Sequence, residues 1–364
     1  MTRRERLQSE SGYSLVELLV SAAVMLTVTG AIFGLMNPAS GSSQAQTEVA
    51  DLQQRMRIAS DTIFKELVMT GAGIFQGPVT GSLIGFFAPI LPRRTGYQSP
   101  DPATVFRRDA VTLMYVPNLY TQTSIIHQMP IQSPEMKVLD QPNCPKHDGL
   151  CGFDTGMVVL IFDSTGHFDT FEITQVQSAA AHLQHRGQNL DYSYDTGSQV
   201  TQIVSNTYYR DAATNQLMRY NGGLQTMPLV DNFVDMDISY FGDPSQPPSR
   251  APGIESCQYN ADGTSKLAAL TATDGSLVAL PPAMLTDGPF CASDSNQYDL
   301  DLLRVRKVRV MLRMQVASAS LRGKNPPNGP KLWINEGTSQ GGAKSVPDYV
   351  VTFEVTPRNL NLAR

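Results

Sequence analysis

The 364-residue chain has little that nucleic-acid binding or catalysis would require. It has no excess of positive charge: 28 Lys and Arg stand against 33 Asp and Glu, a net charge of -5, which gives no electrostatic case for nucleic acid. It has no P-loop, no G-x-S-x-G and no dinucleotide fingerprint. The five histidines (127, 147, 167, 182 and 185) include no H-E-x-x-H, although His182 and His185 lie three apart. An enzyme is therefore not expected. Cysteines number four, all beyond residue 140, without the tight C-x2-C pair of common zinc sites. No internal repeat of fixed period is visible. What remains, 17% charged and 41% hydrophobic residues with 28 Gly and 24 Pro, describes a globular body with many turns and excludes wholesale disorder.

The organising feature is at the N-terminus. Arg3, Arg4 and Arg6 precede an apolar run over 13–36, and 24 helical residues rise roughly 36 Å, enough for a hydrocarbon core of about 30 Å. Basic residues before such a run stay cytoplasmic, so the C-terminal body is expected outside. Glu17 lies one turn into the run. A carboxylate in hydrocarbon costs several kcal/mol unless paired, which marks it as functional unless it snorkels to the headgroups. A secretory signal would be cleaved after the run, where Asn37-Pro38-Ala39-Ser40 is a poor A-x-A site. Pro38 and Gly41-Ser42-Ser43 predict an interruption of the helix. From about Gln44 the residues Val49, Leu52, Met56, Ala59, Ile63 and Leu67 form an amphipathic stripe, and Gly71 and Gly73 predict its end near Met69.

Beyond residue 71 the periodicity changes. Strands are predicted over 109–116, 233–241, 305–316 and 349–355, with hairpins over 157–173 and 202–220. The stretches 92–102, 128–150, 242–297 and 321–347 read as loops rich in Gly, Pro, Ser, Asn and Asp, and loops of such length are uncommon unless functional or held down. The expected fold is α+β: a long N-terminal helix, transmembrane in its first half and amphipathic in its second, packed on an antiparallel β-sheet body with long loops. The layout is a leader at 1–12, a transmembrane helix at 13–36, an amphipathic helix at 37–70 and a head at 71–364 with an insertion at 242–297.

The run Gly12-Tyr13-Ser14-Leu15-Val16-Glu17-Leu18-Leu19-Val20 resembles the class III signal of type IV pilins and type II secretion pseudopilins. The resemblance implies cleavage between Gly12 and Tyr13 by a prepilin peptidase, N-methylation of Tyr13, and Glu17 as the assembly acid that neutralises a neighbouring subunit's N-terminal amine. Tyr13 stands where phenylalanine is more usual. Residues 65–73, Thr207-Tyr208-Tyr209-Arg210, Leu217-Met218-Arg219-Tyr220, 229–241, 305–312 and Val355-Thr356-Pro357-Arg358-Asn359-Leu360 are similar, in this order, to the minor pilins called PilW. The resemblance implies a single-pass inner-membrane protein with a periplasmic domain that enters a pilus at its tip. It also implies other minor pilins, the major pilin and the assembly platform as partners. A J-type pseudopilin is the alternative in the same class, and a single-span anchored enzyme or binding protein the alternative outside it.

Outside the cytoplasm the cysteines can pair, and Cys144 with Cys151 and Cys257 with Cys291 would pin two loops, although three pairings are possible. Cys144, His147 and Cys151 lack a zinc pattern, so no metal is expected there. Asp294, Asn296, Asp299 and Asp301 offer oxygens of the kind some pseudopilins use for calcium, but without the glycine and bidentate acid of an EF-hand. A solvated acidic loop is the expectation. Arg304, Arg306, Lys307, Arg309 and Arg313 suggest DNA, but strand alternation puts Val308, Val310, Leu312, Met314 and Val316 on one face and Lys307, Arg309 and Arg313 on a wet one.

Overall fold

The computed structural model describes residues 12–73 and 87–361, apart from 118–119, 142–149, 151, 164–166, 248, 250–251, 254, 256, 273–275, 293–295 and 341–344; for 36–42 only the backbone is described. The chain divides into two compact units, Met1–Asp51 with Val316–Pro347, and Leu52–Gln315 with Asp348–Arg364. One element contributes to both: helix α1, Leu15–Met69, 55 residues long.

The interruption expected at Pro38 does not occur in the backbone. Proline removes one ladder donor and crowds the carbonyl four residues before it, yet its fixed φ is already helical and the helix carries through. The end of α1 does fall at Met69. Gly71 there adopts φ +77°, a left-handed backbone conformation that favours glycine. At the helix end the Ala72 N–H donates to Met69 O at 2.9 Å, and Asn359 Nδ2 donates to the carbonyls of Val68, Met69 and Thr70 at 3.3, 3.4 and 3.4 Å.

In the smaller unit, Leu15–Leu35 is apolar and exposed throughout. Further along the helix Ala45 is buried, and Glu48 Oε2 accepts the backbone N–H of Ala317 at 3.0 Å. The Val316–Pro347 segment is built around Trp333, the one tryptophan. Its indole Nε1 donates to Val346 O at 2.7 Å, and Asn325 brackets its backbone, accepting from the N–H at 3.0 Å and donating to the carbonyl at 2.8 Å. Gly323 is small because a Cβ would meet the indole at 2.7 Å. This long loop is irregular yet internally bonded.

In the larger unit, the stripe Leu52, Met56, Ala59, Ile63 and Leu67 is buried as its spacing predicts. It meets two antiparallel sheets. One runs Ile90–Leu91, Ala110–Tyr115, Val204–Asp211, Gln216–Tyr220, Thr226–Asp231 in spatial order. The other runs Val278–Leu280, Phe233–Gly242, Val305–Met314, Tyr349–Val355. Glu66 reaches Asn206 of the first sheet (3.0 Å), and Phe64 packs against Phe353 of the second at 6.1 Å. Burial pushes the Glu66 carboxyl above its ordinary range, opposed by Asn206 and Arg219.

A third sheet, Gln122–Ser124, Gln199–Gln202, Val158–Phe162, Phe168–Glu172, has its own core of Val159, Ile161, Phe171, Ile173, Leu183 and Tyr194 among others. A three-stranded ladder of Glu135–Lys137, His182–Gln184 and Gln175–Gln177 adjoins it in sequence. Residues 128–150, expected to be loop, therefore contain a strand. Three-residue strands carry too little alternation to be read in advance.

Candidate functional site

Gly12, Tyr13 and Ser14 are exposed and outside regular structure, and α1 starts immediately after them. Tyr13 is 90% exposed, and nothing lies within 4 Å of a Cβ placed on Gly12. The Gly12–Tyr13 bond is thus open backbone joined directly to an apolar helix. Glu17 sits in the first turn, and its carboxylate is engaged within the chain: Oε2 accepts the Ser14 N–H at 3.0 Å while Ser14 Oγ accepts the Glu17 N–H at 3.2 Å. This is a reciprocal capping box, and it satisfies two donors at a helix start that would otherwise be open. Treating Glu17 only as a misplaced acid overlooks Ser14. The signal available was Ser-x-x-Glu ahead of an apolar run. Behind Glu17, the i, i+4 rows Val16, Val20, Val24, Val28 and Glu17, Ser21, Met25, Thr29 line a shallow open groove along the helix.

In the head, Cys257 and Cys291 are joined by a disulfide across 34 residues of the insertion. Cys144, His147 and Cys151 lie outside the described residues, as do the leader 1–11 and Asp294. Of the described residues weighed for calcium, Asp299 and Asp301 lie close together but Asn296 does not join them. Asn296 turns away and donates to Asp169 at 2.8 Å and Asp191 at 3.2 Å. Asp299 accepts from the backbones of Gly288 (2.7 Å) and Asp301 (2.9 Å), and Asp301 pairs with Arg304 at 2.6 Å. Asp287, Asp299 and Asp301 do lie within 4.8 Å of one another. A cation there would have to displace the Arg304 guanidinium from Asp301, so the residues present do not fit a calcium cage. Burial raises the pKa of both Asp299 and Asp301, with Arg304 opposing it at Asp301.

Arg304 does not belong to the wet basic face. It is 3% exposed and donates to the carbonyls of Asp243, Ser245 and Ala268 besides Asp301, so it fastens the beginning and middle of the insertion. On the strand itself the alternation holds. Val308, Val310, Leu312 and Met314 are buried, whereas Lys307 and Arg309 share Glu354 (3.0 and 2.5 Å) and Arg313 pairs with Asp348 at 3.0 Å. Cations already paired along a sheet present a weak footprint to phosphate.

A second polar centre went unseen in the sequence. Asp169, 3% exposed, accepts from the Tyr194 hydroxyl (2.8 Å), the Asp191 and Tyr192 backbones (3.1 and 3.2 Å) and Asn296. Burial pushes its pKa up to about 7, against the pull of these donors. Close in sequence, His167 stacks on Tyr192 at 3.8 Å and its Nδ1 lies 3.2 Å from Asp163. His185 is buried against Phe171, and burial lowers its pKa; His182 lies 3.6 Å from Glu135. The chemistry these groups share is structural bonding.

No protein-family model matches the chain, and a search of curated proteins finds no match. An N-terminal hydrophobic helix followed by an antiparallel β-sheet body is consistent with a pilin-like architecture.

Proposed function

We propose that this chain is a minor type IV pilin of the kind the PilW resemblance describes, which primes or caps a filament. In this reading Leu15–Leu35 holds the chain in the inner membrane with residues beyond it in the periplasm. A prepilin peptidase cuts after Gly12, the new Tyr13 amine is methylated, and the apolar helix becomes the polymerisation handle. The sheet body contacts other minor pilins. The chain performs no reaction of its own and is a peptidase's substrate.

The observation that carries this reading is the exposed, irregular backbone at 12–14 abutting an exposed apolar helix with an acid in its first turn. A peptidase needs an extended, accessible bond, and a helix that is apolar on every side needs lipid or other helices around it. The size of the loop-rich head favours a terminal place in the filament, since repeating it at each step of a tight assembly is difficult.

Mass spectrometry of the mature N-terminus tests it. The expected product begins at N-methylated Tyr13, and a chain cut beyond Met36 or starting at Met1 refutes the reading. Glu17→Val should leave processing intact and reduce assembly, and normal piliation in that variant removes the acid's role.

A further inference from the structure

Most sheet edges in the larger unit are short, interrupted or covered. Ile90–Leu91, Gln122–Ser124 and Val278–Leu280 have two or three residues each. Thr226–Asp231 carries Pro228, and its pairing slips between Leu217 and Met218. On Phe168–Glu172 the Gln188 side-chain amide bonds both the N–H and the carbonyl of Glu172 at 2.8 Å. Tyr349–Val355 has none of these protections. Seven residues long, it pairs in unbroken register with Val305–Met314 and, among the described residues, with no other strand. Its one charge, Glu354, is held by Lys307 and Arg309.

The groups that point outward follow from the ladder. Ile238 N–H turns away from Val305–Met314 to Arg108 O at 3.0 Å, whereas Gln315 N–H turns to Asn232 O, also at 3.0 Å. Alternation then directs Arg309, Met311 and Arg313 to Phe233–Gly242, and Val310, Leu312 and Met314 to Phe353, Val351 and Tyr349. Val350, Thr352 and Glu354 therefore present their N–H and C=O groups outward. All three residues are exposed, and these groups have no partner among the described residues. On the α1 side the rim is apolar: Tyr349 is 43% exposed and Phe64 45%, and Phe64 packs on Phe353.

We propose that this edge takes an extended segment of a different polypeptide as an added strand. N–H and C=O groups in strand spacing select peptide backbone, and the rim selects apolar residues at alternate positions, which would cover Phe64 and Phe353. A second copy does not fit. Phe353 lies beside Phe64, and Asn359 beside Val68 and Thr70, so the strand and α1 run the same way. Antiparallel pairing of two copies would set their helices in opposite directions, which two subunits inserted alike in one membrane do not allow. Parallel pairing would bring the two Glu354 within a residue of each other. The exclusion of antiparallel copies rests on the membrane-inserted reading above; the open edge does not.

The test titrates the full chain in detergent with a fluorescein-labelled peptide, Lys-Thr-Val-Thr-Val-Thr-Val-Lys, and reads anisotropy. The peptide should bind. Thr352→Pro removes an outward donor that the native ladder does not use, so it should weaken binding at least about tenfold, whereas Thr352→Val should not. Two further peptides, N-methylated at every threonine or at every valine, separate backbone pairing from simple adhesion. A strand offers one edge to a ladder, so one pattern should abolish binding and the other spare it. No binding, or an equal effect of both patterns, overturns the added strand. The methylated peptides act on the native chain and decide alone should Thr352→Pro misfold. Disulfide-linked dimers of Thr352→Cys in vesicles would assign the edge to a second copy and overturn the choice of partner. None of these results bears on the Gly12–Tyr13 cut, so the pilin reading stands or falls separately, by the mature N-terminus.

Discussion

Ser14 and Glu17 bond each other in both directions, hydroxyl to amide and amide to carboxylate, at the first turn of α1. The acid expected to seek a neighbour's amine therefore has a use inside its own chain. These roles are compatible in sequence: the capping box holds the carboxylate at the helix start, one residue from the amine that cleavage before Tyr13 would create.

Ser14→Ala should weaken the helix start by ~0.5–2 kcal/mol, the usual cost of a lost N-cap. Amide exchange at Glu17 and Leu18 in vesicles should then quicken about 2- to 30-fold. Unchanged exchange would show that the cap does not hold in lipid.

Arg304→Ala should be among the most damaging changes in the head. It leaves the largely buried Asp301 without its 2.6 Å partner and frees three carbonyls of the insertion. Breaking a buried pair from one side costs ~3–5 kcal/mol. Arg309→Ala, on the exposed face beside Glu354, should cost under ~1 kcal/mol. Urea denaturation of the full chain in detergent compares the two, and equal effects would contradict the assigned burial.

Replacing Cys257 and Cys291 by serine opens a cross-link spanning 34 residues, worth ~2–4 kcal/mol in the unfolded-chain account. The variant should lose that much stability and become cleavable by protease within 258–290. A pair of free thiols on non-reducing peptide mapping would remove both the bond and the extracytoplasmic placement that it suits.

Asp169 makes stability depend on pH. Its pKa stands near 7 in the fold, against an ordinary value of 3.8 when unfolded. Between those values the folded chain holds the proton that the unfolded chain has released, so stability falls as pH rises from about 4 to about 7 and stays reduced above. Asp169→Asn should flatten that slope whatever its absolute stability. An equally steep slope in the variant would place the titration elsewhere.

The parts legible in the sequence were those with a repeating pattern. The stripe from Leu52 to Leu67, the glycines after Met69 and the alternation from Val305 to Met314 all state their geometry in their spacing. Pro38 misled because a proline's cost in a helix is finite, and a 55-residue helix absorbs one missing bond. Arg304 was grouped with Arg306 and Lys307 by adjacency alone, yet it closes a 3-10 turn, where strand alternation does not apply. Asp169 and Trp333 were not legible at all. Their partners, Tyr194 and Asn296 for one and Asn325 and Val346 for the other, are brought to them by loops without period.

The Asn359 amide seals α1 from 290 residues downstream of Met69. Among the groups described, this side-chain seal thus comes from beyond the last strand, Tyr349–Val355. A chain interrupted anywhere before 359 lacks that donor, and the Val68 and Thr70 carbonyls lose the bond it supplies. The helix end and the segment after the last strand are consequently coupled, so that loosening either one frees the other at this contact.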